Sequence, residues 1–183
     1  MYKLFQFDEV LNDLQDSFVL GDPFLLLQYK RDNSLPDDLL TEFTTQETGD
    51  TVVKNGIAIP MTGIENHPYT IYFNLSGETP ELLKPHNELQ HKQEGYCLQV
   101  TYGRIYLYTL PYLKNFTADM IEAMKKYKQA TIELPNGWYT VTILGGLTKQ
   151  GDYMEPTFEF TIELSAGKPE FKADFLYPFQ ISL

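Results

Sequence analysis

The stretch Phe158-Glu159-Phe160-Thr161-Ile162-Glu163-Leu164 places a large apolar residue at every second position, with polar residues between. A period of two is that of a strand with one face in a core and the other in water. Tyr96, Leu98, Val100 and Tyr102 repeat the pattern ahead of Gly103, and Arg104 to Leu110 follows as a further strand. Other short apolar runs lie on either side: Tyr2 to Phe7, Ser17 to Tyr29, Tyr69 to Leu75, Thr131 to Leu134, Trp138 to Leu144 and Phe171 to Ile181. Ser17 to Tyr29 is interrupted at Asp22-Pro23 and reads as a bulged strand or two short ones. Asn55-Gly56 separates Val52-Val53-Lys54 from Ile57-Ala58-Ile59, a spacing that signals a hairpin. Arg31 to Asp50 reads as loop, and Ser76 to Glu94 as a long connection.

A single segment has the helical period. Met120, Ala123, Met124 and Tyr127 fall at i, i+3, i+4 and i+7, one face of a helix. Thr117 can cap its start, with Asp119 and Glu122 early and Lys125, Lys126 and Lys128 late, as the helix dipole favours. The expected fold is mostly β: one domain over residues 1–183, an antiparallel β-sandwich of about ten strands with one α-helix at 117–128. Leu26, Ile71, Phe73, Leu98, Val100, Leu107, Val141, Ile143, Phe160 and Ile162 are its expected core. Thirteen Tyr and twelve Phe among 183 residues fit pleated surfaces, where aromatic rings pack well.

The formal net charge is −11. Residues 1–95 hold 16 acidic and 6 basic residues, a balance of −10, while residues 96–183 hold 9 and 8, a balance of −1. Such a chain repels nucleic acid and anionic membranes and attracts basic partners. No apolar run approaches the roughly 18 residues that a membrane helix needs. The first residues, from Met1 to Gln15, lack the features of a secretory signal, so a cytoplasmic location is expected. The lone cysteine, Cys97, sets up no disulfide framework.

Chemistry-bearing motifs are few. His86, Glu88 and His91 share one polar stretch and could hold a divalent ion. They follow neither zinc-finger nor metalloprotease spacing. They define the alternative reading, a metal-dependent enzyme or a small-molecule-binding β-sandwich using the His86/His91 loop. Cys97 sits in an apolar strand pattern, the setting of an inert thiol. No nucleophile elbow, phosphate loop or dinucleotide fingerprint is present. No catalytic residue, metal ligand or cofactor is therefore assigned, and the chain is read as a non-enzyme.

The acidity is the feature with functional content. Asp8, Glu9, Asp13, Asp16 and Asp22 precede a second acidic stretch at 32–50, where no basic residue follows Arg31 until Lys54. Solubility alone accounts for many such stretches. The functional reading is a docking face for a basic protein, with Asp37, Asp38, Glu42 and Glu47 as anionic contacts to Lys or Arg.

The segment Glu133-Leu134-Pro135-Asn136-Gly137-Trp138-Tyr139-Thr140-Val141 resembles a Leu-Pro-x-Gly-x-Tyr turn and strand found in small bacterial β-sandwich proteins, including the competence nuclease inhibitor family. It covers about a dozen residues, and Pro and Gly suit such a turn in any protein. The resemblance implies an intracellular inhibitor that binds a nuclease. Together these readings give an acidic protein-binding module, an immunity or inhibitor protein that neutralises a basic toxin or nuclease.

Overall fold

The computed structural model describes residues 2–7, 17–126 and 130–183, with side chains from Ser17 onward. Nine strands form two sheets. The first has the order β1-β4-β9-β8-β5, from β1 (Tyr2–Phe7), β4 (Tyr69–Asn74), β9 (Tyr153–Ser165), β8 (Gly137–Gln150) and β5 (Glu88–Val100). The second has the order β3-β2-β6-β7, from β3 (Ala58–Met61), β2 (Phe18–Gly21), β6 (Arg104–Thr109) and β7 (Ala130–Glu133). All pairings are antiparallel except β4 with β9, which run parallel. The sheet is thus mixed, and β9 is the strand that joins the β1–β4 pair to the β5–β8 pair.

The two sheets face one another across a core that includes Leu20, Leu107 and Ile132 from one and Phe73, Leu98, Ile143 and Phe160 from the other. All ten core residues named from the sequence are buried. Nine lie between the sheets. Leu26 belongs to a second cluster on the far side of the second sheet.

That second cluster is a helical layer, where sequence reading expected strand and loop. It comprises α1 (Pro23–Asp32), α2 (Leu39–Thr45), α3 (Thr48–Lys54) and α4 (Ala118–Lys126). Among the described residues the helix expected at 117–128 is present as α4, its last two positions lying outside those residues, and three further helices join it. Asp22-Pro23 is a helix start: Asp22 Oδ1 accepts from the amides of Phe24 (3.1 Å) and Leu25 (3.2 Å), and Pro23 occupies the first turn. Proline is favoured there because its missing N–H is one the helix leaves unpaired anyway. Leu26 and Leu27 then bury against the sheet. Asp38 caps α2 through the Thr41 amide at 3.0 Å. Asn55-Gly56 ends α3 and turns no hairpin. Gly56 takes φ +68°, its amide donates to Val53 O at 3.0 Å, and that of Ile57 donates to Val52 O at 3.0 Å. This paired return is the Schellman motif, which asks for the same left-handed glycine as a hairpin turn. At α4, Thr117 Oγ1 accepts from the Met120 amide at 3.3 Å, as the cap expected there would.

The outer face of the first sheet is covered in part by the 76–87 excursion and its 3₁₀ turn, Glu81–Leu83. Glu159 holds that excursion down. Its strand pattern suggests a wet face, yet Glu159 is fully buried. Its carboxylate accepts from the amides of Glu81 (3.0 Å) and Leu82 (2.9 Å) and from Asn74 Nδ2 (3.3 Å). Burial, and then the Glu81 and Glu159 carboxylates, push the neighbouring Tyr72 hydroxyl up from its usual pKa.

Phe171 to Ile181 forms no strand; a single bridge joins Thr62 to Pro178. The segment instead closes one side of the sandwich. Phe179 and Ile181 enter the core, the Lys172 amide donates to Gly95 O at 2.9 Å, and that of Phe179 donates to Thr62 O at 2.8 Å. No helix among the described residues is long and apolar enough to cross a membrane.

Candidate functional site

The four carboxylates singled out from the sequence all lie in the helical layer, in different surroundings. Asp37, in the α1–α2 connection, pairs with Lys30, whose ammonium emerges from a buried side chain. Asp38 accepts from both the amide and the hydroxyl of Thr41. Those two hydrogen bonds, the backbone one first, hold its pKa below the ordinary value. Glu42 accepts from Thr48 Oγ1 at 2.8 Å. Glu47 precedes α3 and makes no side-chain cap. Glu42 and Glu47 line one shallow polar depression with Tyr29, Asn33, Gln46 and Thr51. Asp37 and Asp38 do not line it.

The other acidic stretch divides. Asp8, Glu9, Asp13 and Asp16 lie outside the described residues. Asp22 is fully buried and is no surface contact. Its Oδ2 accepts from the amides of Thr101 (3.0 Å) and Tyr102 (2.8 Å), while Oδ1 caps α1. One carboxylate thus ties the helix start to the β5–β6 turn.

The histidines are held apart by their partners. His91 Nε2 lies 2.6 Å from Gln180 O, so it must donate, and Nδ1 lies 2.9 Å from the Tyr177 hydroxyl. Both ring nitrogens are engaged with the C-terminal segment. His86 sits 3.5 Å from Glu81, and Glu88 Oε1 accepts from Gln90. No group of three or more His, Cys, Asp or Glu side chains that could hold a metal ion occurs among the described residues. Cys97 is buried, its thiol directed at Lys54 O at 3.5 Å, and burial pushes its pKa up. The His86/Glu88/His91 arrangement is thus not assembled.

Under α2 and α3 the described residues leave an apolar cavity of about 450 Å³, lined by Val19, Leu26, Leu40, Phe43, Val52 and Ala58 among others. Ser17 also lines it. The sequence carries no sign of it, because its walls come from elements read as strand and loop.

No protein-family model matches the chain, and no curated protein matches it. Among solved structures it weakly resembles a competence nuclease inhibitor and one other protein. One is ComJ from Bacillus subtilis, described as an inhibitor of the DNA-degrading activity of NucA, with 16% identity over 89% of this chain and 96% of that one and a TM-score of 0.49. A second is described as crocagin biosynthetic gene J, with 10% identity over 90% of this chain and 96% of that one and a TM-score of 0.43. Neither likeness assigns a role to any residue of this chain.

Proposed function

We propose that this chain is a protein-binding module of the inhibitor or immunity kind, whose helical layer docks a basic partner in the cytoplasm. A nuclease or toxin with a cationic cleft fits best, because clustered carboxylates present the charge that such a cleft normally meets on phosphates. One observation carries the reading. Among the described residues, Asp32, Asp38, Glu42 and Glu47 take part in no ion pair, and all four belong to α1, α2 or the residues capping α2 and α3. Uncompensated charge on a rigid layer raises association rates with an oppositely charged surface.

The local geometry also decides which residues can test it. Asp37 neutralises Lys30 and Asp38 caps a helix, so altering either disturbs the fold. Asp32→Lys, Glu42→Lys and Glu47→Lys, combined, are the cleaner probe. The tagged chain should capture a basic protein from the source organism at low salt and lose it at high salt. The triple variant should slow association by on the order of tenfold or more. A specific partner whose binding ignores both salt and the reversal would leave the acidity as a matter of solubility.

A further inference from the structure

Beside the docking carboxylates lies a groove of about 460 Å³. α1 supplies Gln28, Tyr29 and Asp32, β5 and the turn after it supply Gln99 and Thr101, and β8 supplies Trp138. We propose that this groove takes the arginine side chain of a basic protein partner, with the guanidinium on the Trp138 face and paired to Asp32. The proposal rests on the docking reading and names a subsite for it.

Trp138 is the chain's single tryptophan, half-buried in the groove wall. Its ring lies against Gly56, where an added Cβ would come within 3.0 Å of Trp138 Cζ3. One edge of the indole thus packs on the backbone of that turn. It also already carries a cation: Lys168 Nζ lies 5.8 Å from the ring centroid, held at 2.7 Å by Asn55 Oδ1. The face therefore accepts positive charge, and an exposed lysine of the chain itself is the group an incoming side chain would displace.

Asp32 supplies the second half. It is exposed and has no ion pair among the described residues. It is also the last residue of α1, the negative end of the helix dipole, where an anion is unfavourable. Local stability gives no reason for a carboxylate there, whereas Lys30 and Arg31 just before it follow the rule. A guanidinium is planar, stacks on an indole and offers forked donors to a carboxylate. A lysine ammonium can also sit over the indole, as Lys168 does, but it lacks the planar fork that pairs with a carboxylate through two donors. A neutral sugar could stack on the indole and donate hydroxyls to Asp32, but it carries no charge to answer the carboxylate.

The single tryptophan makes the test direct, since its indole N–H gives one NMR signal that follows weak binding. N-acetyl-arginine amide, titrated into the full chain, should shift that signal saturably, and its neutral isostere N-acetyl-citrulline amide should not. Asp32→Asn should weaken the response by about fivefold or more while slightly raising the melting temperature, as removal of an anion from a helix C-terminus does. Lys168→Ala should strengthen it by removing the resident cation. Equal responses to arginine and citrulline, a non-saturating response, or an unchanged one in Asp32→Asn would overturn the proposal. So would a response to free hexoses that matches the one to arginine, which would make the groove a sugar site. Loss of the titration with partner capture intact removes only the subsite. A sound titration with no partner captured removes the docking reading and leaves the groove.

Discussion

Two buried carboxylates in this protein do the work of several backbone groups each. Asp22 takes four amide donors: Phe24, Leu25, Thr101 and Tyr102. Asp22→Ala removes a helix cap and takes the acceptor from two partly buried turn amides, and should cost about 2–3 kcal/mol in urea unfolding. Asp38 is the exposed counterpart. Its folded pKa is depressed by Thr41, so its contribution is present above the unfolded value and is lost as pH falls through the folded one. The stability difference between the parent and Asp38→Asn should therefore be seen at neutral pH and close as the pH falls below the ordinary aspartate range. Asp22-Pro23 was legible as punctuation, but a strand break and a helix cap use the same two residues. Only the tertiary partners, Thr101 and Tyr102 some 80 positions away, separate the two.

At the level of elements, the strands were legible because period-two alternation survives wherever one face is core. The helices α1–α3 were not. The first half of α1, Pro23 to Leu27, is wholly apolar, so its period is hidden, and α2 and α3 are only seven residues each. Asn55-Gly56 is ambiguous for a physical reason, since a hairpin turn and a Schellman cap both require positive φ. Gly56→Ala should cost about 1–2 kcal/mol from the left-handed backbone alone, and more from contact with Trp138; thermal unfolding measures it. Glu159 shows what alternation cannot reveal, that an outward strand residue can be roofed by a distant excursion. Glu159→Gln puts an amide N–H₂ among the donors from Glu81 and Leu82. Hydrogen exchange at those two amides should accelerate strongly, with global stability falling by about 2–4 kcal/mol.

For the molecule as a whole, the architecture is three layers: a five-stranded sheet, a four-stranded sheet and the helices. The sandwich was readable from pattern, while the third layer was not, because its apolar faces were assigned to strands. The candidate site was half legible. Charge singled out residues 32–50, read as loop, but composition could not show that they fold into helices, that Asp22 is buried, that Asp37 and Asp38 carry structural duties, or that Trp138 and Asp32 line one groove. With a charge of −11, the folded chain repels itself. Moderate salt should raise its melting temperature while slowing capture of a basic partner, two responses of opposite sign to one screening effect.

The placement of β9 also bears on how the protein is made. A nascent chain emerges from its N-terminal end, and β9 is the last strand to appear, yet it is the one that joins both halves of the first sheet. Until residues near 165 have been synthesised, β4 and β8 each present an unsatisfied inner edge, and the apolar slot closed by Phe179 and Ile181 stays open longer still. Between the completion of β8 and that of β9 the largest sheet stands in two pieces, a period in which unpaired strand edges invite association with other chains. Such long-range closure also implies folding that is slow for a protein of this size.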